Sequence, residues 1–264
     1  MRIFNLVENV SLGDYKSAHG LSIYIETKTH KILFDLGPDK TIFENAKLAK
    51  IDLSEVDTVI ISHGHYDHGG ALEEFLKINN KAKIYLQKSA FKKHYSVSKK
   101  DKHSIGIDEN LINHSQIILK TGAYKIDEEL SLFTVKSTGK CRCSSNDSLY
   151  DDEGQDKFTH EQNLVINSDK KIMLMGCGHN GVVDIMEQSP QKDFSIVIGG
   201  FHLSSRTGVI ADEKLLDDIS KELAIYNATK FYTCHCTGEK AFDILKTKMN
   251  NIFYFHVGDE IVVK

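Results

Sequence analysis

Residues 62–70 read SHGHYDHGG, so three histidines and an aspartate (His63, His65, Asp67 and His68) fall within six consecutive positions. Imidazole and carboxylate together suit zinc, iron or manganese, and no thiolate is present within the cluster. In an extended segment, side chains two apart point the same way, so His63 and His65 can converge on one ion. Asp67 and His68 follow after a turn and reach a neighbouring point. Gly64, Gly69 and Gly70 remove side-chain bulk, letting the chain wrap closely around an ion. A divalent metal brings the pKa of bound water down from about 16 towards about 7 and polarises a phosphoryl or carbonyl oxygen. The chemistry this predicts is attack by metal-activated water.

The elements that must hold these residues are legible nearby. VDTVIIS (56–62) is a short apolar run that reads as a buried strand, and ALEEFLKI after the cluster begins a helix. The histidines therefore sit where the carboxyl end of a strand meets a loop, a common place for active sites in α/β folds. Along the chain, 21–26 and 30–35 read as a hairpin and 39–50 as a helix. AKIYLQ, SQIILK, LSLFTV, NLVINS, KIMLMG, FSIVIGG, KFYTC and IFYFHV read as strands, and 212–225 and 238–248 as helices. Strands alternating with helices, and only 2 prolines, predict a single α/β domain over 1–264 with its sheets covered by helices. Two polar stretches, 88–113 and 137–161, read as long surface loops.

Composition limits the function classes. With 41% hydrophobic and 27% charged residues the chain reads as a soluble globular protein. A net charge of -4 gives no whole-protein attraction to nucleic acid or anionic membrane. No apolar run approaches the roughly 20 residues of a membrane helix, and the start MRIFNLVENV lacks a secretion-signal layout, so a cytoplasmic location is expected. The 5 cysteines include two C-x-C pairs, Cys141/Cys143 and Cys234/Cys236. Free thiols are expected in preference to a four-cysteine zinc site, for which C-x2-4-C spacing is the rule. Histidines such as His30, His94 and His114 are expected to be ordinary surface or core residues.

H-x-H-x-D-H after an apolar strand resembles the signature of the metallo-β-lactamase superfamily, and LFDLG (33–37) resembles the Asp-x-Gly turn before it. GCGHNGVVD (176–184), GGFHLSS (199–205) and CHCTGEKA (234–241) resemble a branch of predicted hydrolases that includes the dihydropterin-ribofuranosylaminobenzene phosphate synthases. This resemblance implies a four-layer αββα sandwich with one or two divalent ions, zinc first and iron, manganese or magnesium as alternatives. It also implies that His63, His65 and His179 hold one ion and Asp67, His68 and His235 a second. The sequence departs from the wider pattern at two places. Lys140 in KSTGK stands where a histidine is expected, and GCGH has no bridging carboxylate, leaving Cys177 as an outside candidate ligand.

Further roles follow from position. Asp67 either ligates an ion or orients the attacking water, while Asp35 orients a histidine or stabilises the turn before Gly37. His202, between glycines and serines, reads as a general acid or substrate contact. Thr237 and Gly238, at the head of the last helix, read as an anion site, with Arg206 as an accessory. The leading function is hydrolysis of a small anionic ester, a phosphoester first. The alternatives are a transferase releasing diphosphate and a non-catalytic or redox metal protein.

Overall fold

Strands covered on both faces need apolar side chains on both faces, and the short β-branched runs of this chain supply them. The computed structural model describes residues 1–264. In chain order its strands are β1 (Arg2–Val7), β2 (Ser22–Glu26), β3 (Lys31–Phe34), β4 (Thr58–Ile60), β5 (Lys83–Gln87), β6 (His94–Val97), β7 (Lys102–Ser104), β8 (Ile117–Lys120), β9 (Tyr124–Lys125), β10 (Leu130–Phe133), β11 (Leu149–Asp151), β12 (Gly154–Gln155), β13 (Asn163–Asn167), β14 (Lys171–Leu174), β15 (Ile196–Gly199), β16 (Lys230–Thr233), β17 (Ile252–Tyr254) and β18 (Glu260–Val262). The helices are α1 (Thr41–Leu48), α2 (Tyr66–Gly69), α3 (Leu72–Ile78), α4 (Val182–Gln188), α5 (Glu213–Leu223) and α6 (Glu239–Lys248).

Two seven-stranded sheets run in the orders β18-β1-β2-β3-β4-β5-β8 and β17-β16-β15-β14-β13-β10-β9. Each is antiparallel on one side and parallel where the site lies, along β3-β4-β5 in the first and β14-β15-β16-β17 in the second. The period-2 alternation of strands sorts side chains into three apolar layers. Ile32 and Phe34 of β3 face the second sheet, where they join Leu164, Ile172 and Ile198, while Leu33 between them faces Ile42 of α1 and Phe75 of α3. On the far side, Val165, Met173 and Phe231 pack under Val183, Leu216, Ile219 and Leu245 of α4, α5 and α6. Each fully buried side chain of this size contributes roughly 1.5–3 kcal/mol. Helix, sheet, sheet and helix are thus joined by three cores, the αββα sandwich expected.

The expected β2–β3 hairpin forms in antiparallel register, with Ile23 opposite Phe34. The two polar stretches correct the sequence reading. They are not merely loops: they contribute β6, β7, β11 and β12, which pair as a third, four-stranded sheet in the order β12-β11-β6-β7. Its strands escaped notice because β7 and β12 are fully exposed and carry no apolar alternation. A small cluster of Ile105, Leu149 and Phe158 packs it against Tyr66, and His65 bridges to Gly106. No helix is long and apolar enough to cross a membrane.

Candidate metal centre

In the parallel parts of both sheets the strands end together, and their carboxyl ends deliver the polar residues to one edge. Asp35 follows β3, His63 and His65 follow β4, Cys177 and His179 follow β14, His202 follows β15 and His235 follows β16. Donor atoms of His63, His65 and His179 lie within 4.8 Å of one another. The Nε2 of each is buried and has no protein partner. Leaving such an atom unsatisfied costs about 1–3 kcal/mol, and three of them aimed at one point suit a cation. Burial, reinforced by neighbouring histidines, holds the pKa of all three well below the usual imidazole value. They are therefore neutral, as metal ligation requires.

The opposite ring nitrogens are fixed by partners, as metal-binding histidines generally require. Ser62 Oγ donates to Asp35 Oδ2 at 2.8 Å and accepts from His63 Nδ1 at 2.8 Å. His179 Nδ1 donates to Asn146 Oδ1 at 2.9 Å, and Asn146 Nδ2 donates back to the His179 carbonyl at 2.9 Å. Asn9 grips His235 in the same two-point way, at 2.9 Å to Nδ1 and 3.3 Å to the carbonyl. Neither asparagine was found by sequence reasoning, since a lone Asn in a polar loop has no spacing signal.

A second group adjoins the first. His235 Nε2 is buried without a hydrogen bond and stands 3.4 Å from Asp67 Oδ2. The rings of His68 and His235 are 5.1 Å apart. His68 Nδ1 donates to Asp35 Oδ2 at 2.6 Å. Burial opposes charge on His68, but Asp35 and Asp67 outweigh it and raise its pKa to about 9, so an ion held here would displace a proton from His68. The Asp67 carboxyl is lowered despite its burial, because His68, His235 and His65 surround it. Cys177 Sγ lies 3.2 Å from His68 Nε2. It groups with His63 and His68 on one side and with His235 and Cys236 on the other, so the outside candidate occupies the space between the two sets. Asp35, His202 and His235 all have φ between 50° and 63°. Non-glycine residues are rarely held so, and such strain gathers at functional sites.

Above the ligands is a cavity of about 150 Å³, lined among others by His19, Asp67, His202, Ser204, Ser205 and Arg206. His202 lies with its ring 4.2 Å from that of His179, and neither of its nitrogens has a protein partner. Arg206 Nη1 donates to the Tyr66 hydroxyl at 3.0 Å across the mouth. The third sheet supplies Ser96, His103 and Leu149 to the wall.

Comparison with known proteins bears on this geometry. Residues 18–162 match the family described as the metallo-beta-lactamase superfamily. The chain belongs to that superfamily. It is 29% identical to an uncharacterized protein of Methanocaldococcus jannaschii, covering 96% of each chain. It is 28% identical to the 7,8-dihydropterin-6-methyl-4-(beta-D-ribofuranosyl)-aminobenzene-5'-phosphate synthase of the same organism, covering 96% of this chain and 93% of the synthase. A solved structure of a metal-dependent hydrolase of the beta-lactamase superfamily superposes with a TM-score of 0.83 at 26% identity, covering 100% of this chain and 99% of the other.

As a member of the metallo-beta-lactamase superfamily, the chain departs from several sequence expectations. The anion site at Thr237 and Gly238 is not formed. Thr237 is fully buried, its Oγ1 accepts from Phe201 N at 2.9 Å, and the N–H groups of Thr237 and Gly238 are taken by the carbonyls of Cys234 and His235. Neither residue lines the cavity. In agreement with expectation, the two C-x-C pairs do not meet as a four-cysteine site: all five thiols are free, Cys234 lies in the inter-sheet core, and Cys236 alone of the four joins a ligand group among those described. Gly64 has an ordinary φ; its need is space, because a Cβ there would strike the Ala90 carbonyl and lie 2.8 Å from His94 Nε2. His94, expected to be ordinary, is fully buried beside His65, together with Asp156 and His160. Lys140, where the wider pattern has a histidine, pairs at the surface with Glu187 and Glu222 at 2.8 Å each.

Proposed function

We propose that this protein hydrolyses a small anionic ester, a phosphoester by preference, with His63, His65 and His179 holding one divalent ion, zinc first, and Asp67, His68, His235 and Cys177 providing for a second. The observation that carries the reading is the set of partnerless Nε2 atoms of His63, His65 and His179, of which His65 and His179 line a cavity whose wall also offers His202, Ser204, Ser205 and Arg206. When bound, the metal supplies an activated water and polarises an ester oxygen. Arg206 and the serine hydroxyls bind the anionic group, and Asp67 orients the water through its free carboxylate lone pairs. His202, free at both nitrogens, carries the proton to the leaving oxygen. The head group enters this cavity and the rest of the substrate lies along the third sheet, which supplies Ser96, His103 and Leu149 to the wall. The net charge of -4 supports a small-molecule substrate in preference to a nucleic acid.

The test is metal analysis of protein purified without added metal, followed by turnover of phosphomonoesters, phosphodiesters and lactones. Acceptor-independent phosphoester hydrolysis is the expected result. Replacing His202 with Ala is expected to lower kcat by about 100-fold or more, the usual range for a general acid, with metal content unchanged. No turnover of any phosphoester by metal-loaded protein would overturn the reading. The full-length likeness to the dihydropterin synthase favours a second reading, transfer with release of diphosphate. Diphosphate released from a dihydropterin diphosphate only when an aminobenzene acceptor is present would select it.

A further inference from the structure

Beside the metal centre lies a second buried polar cluster that the reaction does not use. His94 of β6 is fully buried, and Asp156 and His160, in the segment after β12, are 5% and 1% exposed. Their hydrogen bonds define the tautomers. His160 Nδ1 accepts the Gly64 N–H at 2.9 Å, so its Nε2 carries the proton and donates to Asp156 Oδ2 at 3.0 Å. His94 Nδ1 donates to the same oxygen at 3.0 Å, and Asp156 Oδ1 accepts the Phe158 N–H at 2.7 Å. One atom is left over: His94 Nε2, a buried lone pair with no partner.

The metal centre has the complementary deficit. A histidine that binds an ion through Nε2 needs an acceptor for its Nδ1–H. Ser62 serves His63, Asp35 serves His68, Asn146 serves His179 and Asn9 serves His235. His65 alone has no such hydrogen bond; its ring centroid lies 5.6 Å from that of His94, and one ring nitrogen of each lies within 4.8 Å of the other.

We propose that His94 is the positioning residue for His65, its Nε2 accepting the His65 Nδ1–H, with Asp156 holding His94 in the required tautomer and His160 tying Asp156 to the Gly64 backbone. The third sheet then sets the orientation of a ligand that the sandwich itself leaves unsupported. An alternative use of the four side chains, as a separate metal site, is disfavoured because both nitrogens of His160 and both oxygens of Asp156 already have partners.

The proposal rests on the metal reading for its consequence but not for its detection, so two measurements separate them. In metal-free protein, nitrogen-15 NMR of the imidazoles reads the His65 tautomer. The expected result is an Nδ1–H tautomer in the wild type that reverts to Nε2–H in His94→Leu. In the zinc-loaded protein, chelator competition is expected to show a loss of first-ion affinity of about 10- to 100-fold in His94→Leu. His94→Gln, whose amide offers a donor to Asp156 and an acceptor to His65, should recover most of it. An Nε2–H tautomer for His65 in the folded wild type would overturn the proposal, as would undiminished first-ion affinity in His94→Leu or the loss of one extra metal equivalent from that variant. A protein that binds no metal but shows the tautomer switch would fail the metal reading alone.

Discussion

Asn146 is 1% exposed and touches His179 at two points, accepting its Nδ1–H and donating to its carbonyl, both at 2.9 Å. Asn146→Ala removes both bonds and leaves a buried N–H and a buried C=O without partners. At about 1–3 kcal/mol for each unsatisfied group, the metal-free protein should lose about 2–6 kcal/mol unless water enters. Urea denaturation, read as a lowered midpoint at constant slope, measures this. The freed His179 ring can also rotate out of line with His63 and His65, so the first ion should bind about 10- to 100-fold more weakly, equivalent to about 1.4–2.7 kcal/mol. Chelator competition on the folded variant separates the two effects. The same change at Asn9, which grips His235, should weaken the second ion instead. Asn146→Ala protein that keeps both its stability and its first-ion affinity would refute the idea that this side chain orients a ligand.

Other outcomes follow from the same geometry. His63→Ala or His65→Ala should remove most bound metal while leaving a folded protein, because the three apolar layers do not include these side chains; full metal content by elemental analysis would sink the assignment. Changing Cys141 and Cys143 together to Ser should leave metal stoichiometry intact, since neither belongs to a ligand group described in the structure; loss of a metal equivalent would show otherwise. At the surface, His30 stands 2.8 Å from Asp57 and 2.9 Å from Asp127. Burial opposes its charge, but the hydrogen bond and charge of Asp57, aided by Asp127, raise its pKa. A raised folded pKa gives stability fully present below the unfolded value near about 6.5 and lost as pH rises through the folded value. His30→Gln should therefore be destabilised relative to wild type at pH 5, with the gap narrowing at alkaline pH; a gap constant across that range would refute the ion pair.

Much of the site was legible because metal ligation imposes residue types and spacing on a short stretch. H-x-H-x-D-H at the end of an apolar strand carries that signal by itself, whereas the grouping of His179 and His235 with it came from the family resemblance, and the structure brings both to the same sheet edge. Apolar runs of strand length alternating with helical segments made an α/β domain legible, whereas the four-layer αββα sandwich was read from the resemblance of the motifs to the metallo-β-lactamase superfamily. What tertiary structure alone decided are the relations between segments far apart in the chain. Asn9 reaches His235 and Asn146 reaches His179, pairings between single polar residues with no periodicity to betray them. The helix-end anion site at Thr237 and Gly238 failed because their N–H groups turn back onto the carbonyls of Cys234 and His235, a local backbone path that the residue types alone do not reveal. The polar stretches 88–113 and 137–161 became a third sheet because exposed strands are stabilised by pairing with one another, as Tyr95 opposite Tyr150 shows, and backbone pairing across more than fifty residues leaves no mark on the composition of either partner.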